Sequence, residues 1–220
     1  MTTLAGKMML ERSPLFRGLP PASLQRLASL ATQRRFNAGE IVFSQGDPGD
    51  ALYGVVTGKI RISAGATDGR ELSLNIMEPG DTFGEIALLD GGERTASATA
   101  DVASELVSVR REHFLDTLKR EPALALELLR LCGQRLRWTS GLFEDAALLD
   151  VPSRLAKRLV GLVQNGESLA ISQEELAGFL GISRQVVNQH LQGWKERGWI
   201  RLGRGVITLC DRSALQNLKS

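Results

Sequence analysis

The chain has 220 residues, of which 43% are hydrophobic and 24% charged, with a net charge of +2. That is the balance of an ordinary globular protein, long enough for one large core or two modest ones. No stretch approaches the roughly 20 apolar residues of a membrane span, and "MTTLAGKMMLERSPLF" lacks the apolar run of a signal peptide, so a cytoplasmic protein without membrane contact is expected.

From Gln33 to Arg111 the sequence is punctuated by turn chemistry: Asn37-Ala-Gly, "QGDPGD" at 45–50, Thr57-Gly58, "GATDGR" at 65–70, "EPGD" at 78–81 and "DGGER" at 90–94. Between these turns lie "EIVFS", "LYGVV", "KIRIS", "ELSLNIM" and "LVSVR", several of them alternating apolar and polar. Short strands with turn signals at roughly 8–12-residue intervals predict an all-β sandwich or barrel. Within this region "FGEIALLDGGERTASA", from Phe83 to Ala98, sets Glu85 behind a glycine and Arg94-Thr95 after a glycine turn, among apolar residues. A few convergent polar groups in an apolar lining suit a small polar ligand with one anionic group.

The pattern then becomes helical. "HFLDTLKREPALALELLRLCGQRLRWTSGLFEDAALLD" predicts one helix ending near Pro122 and a second running from Ala123 to Leu149. The second carries two apolar stripes: Leu124, Leu128, Leu131 and Leu142 form one, and Leu129, Cys132, Leu136, Phe143 and Ala147 the other. A helix lying on its own domain needs one apolar face. The second face predicts a coiled-coil-like seam with another copy of the chain, and hence a homodimer. Asp150-Val-Pro-Ser interrupts the helix and reads as a hinge.

The C-terminal third is basic. Residues 151–220 carry 10 Lys/Arg against 5 Asp/Glu, whereas residues 1–150 carry 17 against 20, so only the end of the chain is expected to meet a polyanion. In "ISQEELAGFLGISRQVVNQHLQGWKERGWIRL", Ser172 and Glu175 have capping-box spacing, and Leu176, Ala177 and Leu180 form a short apolar face. Gly181 supplies a turn, and Ser183 caps a second helix with Val187 and Leu191 inward. This spacing is that of a helix-turn-helix, whose second helix enters the major groove of double-stranded DNA. Arg184, Gln185, Asn188 and Gln189 occupy its early outward positions, and arginine suits guanine while Gln or Asn suits adenine. Lys195, Arg197, Arg201 and Arg204 follow, the last two around "LGRGVITL", a hairpin wing for phosphates. The DNA-binding set expected is Ser172, Ser183, Arg184, Gln185, Asn188, Gln189, Arg201 and Arg204.

Cys132 and Cys210 are isolated, and His113 and His190 lack partners at metal-ligand spacing, so no metal is expected. His190 reads as a half-buried structural residue.

The segments "LYGVVTGKIRI", "FGEIALLDGGERTASA", "RLRWTSGLFEDAALLDVPSRLAKRL" and "EELAGFLGISRQVVNQHL" together resemble the cyclic-AMP receptor protein and fumarate-nitrate regulator (CRP/FNR) superfamily of bacterial transcription factors over nearly the whole chain. The resemblance implies an α+β fold: a cyclic-nucleotide-binding β-roll (double-stranded jelly roll) over residues 1–121, a dimerisation helix over 122–150 and a winged helix-turn-helix over 151–220. It implies that Glu85 accepts the ribose 2′-hydroxyl and that Arg94 pairs with the cyclic phosphate, aided by Thr95 and backbone N–H groups near Gly84 and Ile86. Arg135, Thr139 and Ser140 match an arginine and a Thr-Ser pair of the cyclic-AMP receptor, where the threonine contacts adenine and the serine reaches the neighbouring subunit's ligand. Cyclic AMP is then the expected effector. Cyclic GMP stays open because Thr95 could also bond the guanine amino group. RNA polymerase is an implied partner, although the loop that contacts it in the relative is shortened here to "VQNGESL". The Glu85-to-Arg94 loop is one residue shorter than in that receptor, and Gln185 and Gln189 replace its Glu and Arg on the recognition helix. An alternative is a regulator of this family without nucleotide control, or one sensing redox state or a gas. An iron–sulfur or haem sensor would need clustered N-terminal cysteines or an axial histidine, and a cupin-like enzyme a His/carboxylate set, and the β region has no histidine. A regulator and not an enzyme is expected.

Overall fold

The computed structural model describes residues 4–65, 71–163 and 167–218. The turn expected at 65–70 lies, beyond Gly65, outside the described residues, as do residues 164–166 of the "VQNGESL" loop. The chain divides into two compact units, with the main boundary between Arg135 and Leu136.

The first unit begins with helices α1 (Leu4–Arg12) and α2 (Pro21–Leu30), joined through a 3-10 turn at Pro14–Phe16. Among the described residues eight strands follow: β1 (Thr32–Phe36), β2 (Ile41–Phe43), β3 (Ala51–Thr57), β4 (Ile60–Gly65), β5 (Glu71–Met77, of which residues 71–73 group with the second unit), β6 (Thr82–Phe83), β7 (Ser97–Ala100) and β8 (Ser104–Arg110), with the short helix α3 (Glu85–Asp90) between β6 and β7. They form two four-stranded sheets of order β1-β8-β3-β6 and β2-β7-β4-β5. Every pairing given in register is antiparallel, so the expected β-roll is present.

The side-chain alternation of β3 and β8 explains why the first sheet holds the unit together. Successive side chains point to opposite faces. Ala51, Tyr53, Val55 and Leu106 turn inward to a core shared with Phe36, Ile60, Met77, Phe83, Ala98 and Ala100. Leu52, Val107 and Val109 point the other way, into a second core with Leu10, Leu27, Phe114, Leu124 and Leu128. A strand buried on both faces reads as a continuous apolar run, as "ALYGVV" does. Gly54 belongs to the helix-facing side, where a Cβ would stand 1.6 Å from Met9 Cε. Its missing side chain is what lets α1 lie on the sheet.

After β8 come α4 (Arg111–Arg120) and α5 (Pro122–Leu148). Pro122 opens α5, where its missing N–H is an orphan donor in any case. Of the first apolar stripe, Leu124 and Leu128 are fully buried, Leu131 packs against the same core, and Leu142 is half-buried. Of the second, Leu129, Leu136 and Phe143 are 67%, 69% and 74% exposed, seven residues apart, and Ala147 is exposed as well. Cys132 departs from the expectation: it packs, partly buried, against the helix-side core, because its short side chain sits at the edge of the buried face.

The second unit contains the rest of α5, α6 (Val151–Leu162), β9 (Ser168–Ala170), α7 (Gln173–Leu180), α8 (Arg184–Glu196), the hairpin β10 (Ile200–Gly203) and β11 (Val206–Leu209), and α9 (Arg212–Gln216). Asp150 caps α6 by accepting from the Ser153 N–H at 2.9 Å, with Pro152 in the first turn. Leu155, Leu159, Leu176, Val187, Leu191, Trp194, Ile200 and Ile207, from α6, α7, α8, β10 and β11, are buried. β9 pairs with β11 and makes the wing a three-stranded sheet, one strand more than the expected hairpin.

Candidate functional site

A cleft of about 380 Å³, counting its open mouth, is cut into the β-roll. Its lining includes Gly84, Glu85, Ile86, Arg94, Thr95 and Arg135, so the fold gathers six of the eight residues expected around a ligand. Ligand clefts set a few polar groups in an apolar wall. Phe43, Ile62, Met77, Phe83, Ala87 and Ala96 supply that wall.

Arg94 is 3% exposed and held from several sides. Its Nη1 donates to Gly84 O at 2.7 Å and its Nη2 to Ala51 O at 2.8 Å, with Asp50 Oδ1 3.5 Å away. Its Cζ lies 4.3 Å from the Phe43 ring centroid and 5.6 Å from that of Tyr53, and these two rings pack with Phe83 at 5.5–5.9 Å. A guanidinium has five N–H groups. Among the described residues these contacts leave the Nε–H, which is buried without a partner, and one Nη1–H uncommitted. Burial pulls the Arg94 pKa down, while Tyr53, Asp50 and Glu85 push the other way, and arginine stays charged. Burial first, then Asp50, raises the Tyr53 phenol above its ordinary value.

Glu85 is the first residue of α3, behind Gly84 at φ +83°, a left-handed conformation that favours glycine. A Cβ on Gly84 would also stand 2.6 Å from Arg94 Nη1. The Glu85 carboxylate is 1% exposed and ion-paired to Arg135, whose Nη2 also donates to Thr82 O. Its Oε2 has no hydrogen-bond partner among the described residues. An uncommitted cationic N–H set and an unsatisfied carboxylate oxygen in one cleft fit a ligand that carries both an anionic group and a hydroxyl.

Thr95 and Ile86 are exposed at the cleft. Thr139 and Ser140 are exposed on α5, four and five residues past Arg135, and are not among the lining residues. Sequence reasoning missed Phe43, Tyr53 and Phe83 as the aromatic bed of Arg94. They lie on β2, β3 and β6, and only the pairing of the strands brings them together. Apolar alternation alone marks them as ordinary core residues.

The second candidate site is on the helix-turn-helix. Ser172 accepts from the Glu175 N–H and Glu175 returns to the Ser172 N–H, completing the capping box. Gly181 ends α7 at φ +62°, and Ser183 caps α8. Arg184, Gln185 and Gln189 are exposed and Asn188 half-exposed, while Val187, Leu191 and Trp194 are buried beneath them. Both cap oxygens are thus engaged as acceptors. Arg201 is exposed on β10, and Arg204 in the turn between β10 and β11. On α7 the inward positions belong to Leu176, Ala177 and Phe179, with Leu180 only half-buried. His190 is half-buried, its ring 6.5 Å from that of Trp194. Among the described residues no cluster of three or more His, Cys, Asp or Glu could hold a metal ion, and no helix is long and apolar enough to cross a membrane.

Two protein families match the chain: the cyclic nucleotide-binding domain over residues 33–121 and the Crp-like helix-turn-helix domain over residues 153–218. A CRP-like cAMP-activated global transcriptional regulator of Mycobacterium tuberculosis is 37% identical over 94% of this chain and 96% of its own length. The cyclic AMP receptor protein of Thermus thermophilus is 36% identical over the same shares. Among solved structures, the Thermus thermophilus catabolite activator protein covers 93% of this chain and 97% of its own at 36% identity and a TM-score of 0.55. The c-di-GMP responsive regulator CLP of Xanthomonas campestris covers 86% of this chain and 99% of its own at 25% identity and a TM-score of 0.78. With both domain families matched and relatives more than a third identical over nearly its full length, the chain belongs to the CRP/FNR family of transcriptional regulators, as a cyclic-nucleotide-binding, DNA-binding protein and not an enzyme.

Proposed function

We propose that the chain acts as a homodimer whose affinity for specific DNA is set by cyclic AMP bound in the β-roll cleft. The observation that carries this reading is the buried Arg94, braced on two carbonyls and two aromatic faces with N–H groups to spare. Arg94 offers the cyclic phosphate a charged donor already held in place, with Thr95 and the backbone around Gly84 and Ile86 beside it. Glu85 accepts the ribose hydroxyl through the oxygen that now lacks a partner, and Arg135 keeps the rest of that carboxylate neutralised. Thr139 of one protomer reads adenine, and Ser140 reaches the ligand of the other. The cAMP-activated relatives favour cyclic AMP, and the exposed Thr95 makes cyclic GMP the competing ligand to test.

Leu129, Leu136 and Phe143, seven residues apart on α5, form the dimer seam, because exposed apolar side chains at that spacing bury themselves best against their own copy. Residues 1–121 serve as the effector module, 122–150 as the dimer helix and 151–220 as the DNA module. Arg184, Gln185, Asn188 and Gln189 read bases, and Ser172, Ser183, Arg201 and Arg204 hold phosphates. The protein works in the cytoplasm on promoter DNA with RNA polymerase as partner. Calorimetric titration with cyclic AMP, cyclic GMP and c-di-GMP tests the effector: cyclic AMP binds at micromolar or lower concentration and the others more weakly. Absence of heat with all three removes nucleotide control.

A further inference from the structure

Arg158 of α6 is 9% exposed, and among the described residues no carboxylate pairs with its charge. Its Cζ lies over two aromatic rings, 4.2 Å from the centroid of Phe179 in α7 and 4.7 Å from that of Trp138 in α5. Its Nε is buried with no hydrogen-bond partner among the described residues. Burial alone pulls its pKa below the ordinary arginine value, with no charged neighbour offsetting the effect. Leucine or methionine would fill the same space without desolvating a charge, so packing does not account for an arginine here. What an arginine adds is orientation: a planar cation is attracted to the face of each ring, and two such contacts tie both rings to one side chain.

The three residues come from three different helices. Trp138 immediately precedes Thr139 on α5, and Phe179 lies on the helix that supports α8. At the neighbouring position, Lys157 pairs with Asp145 and fastens α6 to α5 a second time.

We propose that Arg158 is a positioning residue that clamps the C-terminal half of α5 to the helix-turn-helix, so that the base-reading face of α8 follows α5 as one body. The consequence for DNA binding rests on the clamp alone, and the consequence for effector response rests also on the function proposed above.

The test titrates a DNA duplex, enriched by the wild-type protein from a random pool, against wild type, Arg158→Met, Arg158→Lys, Trp138→Leu and the Trp138→Leu/Arg158→Met double variant, with and without cyclic AMP. Met keeps the volume and removes the cation, whereas Lys keeps the cation and loses the plane. We expect Arg158→Met to bind the duplex about tenfold more weakly, Arg158→Lys to fall between it and wild type, and the double variant to be no weaker than the worse single one. Cyclic AMP affinity by calorimetry stays at the wild-type value throughout. Wild-type DNA affinity in Arg158→Met, or losses that add fully in the double variant, would overturn the clamp and leave Arg158 as core filling. If Arg158→Met fails to fold, Arg158→Lys and Trp138→Leu still read it: both weaken DNA binding, and wild-type affinity in both overturns it. A wild-type protein that binds no cyclic AMP refutes the effector reading, while the nucleotide-free titration still decides the clamp.

Discussion

Arg135, on α5, is ion-paired to Glu85, the buried first residue of α3. The helix proposed to sense the base is therefore already joined to the carboxylate proposed to bind the sugar. Removing the cation leaves a 1%-exposed carboxylate without its ion-pair partner, with the more distant Arg94 charge remaining. Breaking a buried pair from one side costs about 3–5 kcal/mol, and the partial exposure of Arg135 reduces this to roughly 1–3 kcal/mol. Arg135→Ala should lower the urea midpoint accordingly, and adding Glu85→Gln should recover part of the loss, because the orphaned charge then disappears. Equal stability of Arg135→Ala and wild type would mean that the pair carries no weight.

Arg94 is a test of fork geometry as distinct from charge. Lysine retains the cation but cannot reach both Gly84 O and Ala51 O from opposite ends of a planar group. We expect Arg94→Lys to lose at least tenfold in cyclic AMP affinity and Arg94→Leu at least a hundredfold, by calorimetry. Each carbonyl left without a donor costs about 1–3 kcal/mol of stability at most. Wild-type affinity in Arg94→Lys would show that charge alone binds the phosphate.

Much of this site was legible in the sequence, and the reason is local chemistry. Gly84-Glu85 and Arg94-Thr95 stand out because neither a core strand nor a plain loop calls for them, and the capping box at Ser172 with the turn at Gly181 specifies a helix-turn-helix from a dozen residues. What stayed hidden depends on contacts between distant residues. Phe43, Tyr53 and Phe83 read as ordinary core until strand pairing sets them around Arg94. Arg158 reads as one more charge on a basic segment until three helices enclose it. Strand β6, only two residues long, and helix α3, inside a motif already read for its chemistry, carry too little periodicity to announce themselves. Cys132 was misplaced because a residue at the edge of a helical stripe can turn toward either face.

The exposed stripe of α5 yields a prediction independent of any ligand. Leu136→Glu and Phe143→Glu put charges into the proposed seam while leaving the cores untouched, since both residues are largely exposed in the single chain. Sedimentation velocity should show wild type as a dimer and the double variant as a folded monomer, with circular dichroism unchanged. A variant that still sediments as a dimer would place the seam elsewhere.

Acid sensitivity should be traceable to the cap between α5 and α6. Hydrogen bonds from Ser153 hold the Asp150 carboxyl below its ordinary pKa, with His190 and Arg154 acting in the same direction. A carboxyl with a lowered folded pKa adds stability above its unfolded pKa, and the gain disappears as pH falls from there through the folded value. Asp150→Asn keeps an acceptor oxygen but has no proton to gain. Between pH 5 and about pH 2 its urea midpoint should therefore fall less steeply than that of wild type. Parallel curves would rule out this carboxyl as a contributor.

The central claim, that a cyclic nucleotide in the β-roll governs DNA binding, is tested most directly by titrating one enriched duplex with the wild-type protein in the absence and presence of saturating cyclic AMP. We predict that the nucleotide raises duplex affinity at least tenfold, within the coupling of about 1–3 kcal/mol usual between linked sites, and that Arg94→Leu abolishes the difference while binding DNA at the nucleotide-free level. Identical wild-type affinity under both conditions would contradict the account.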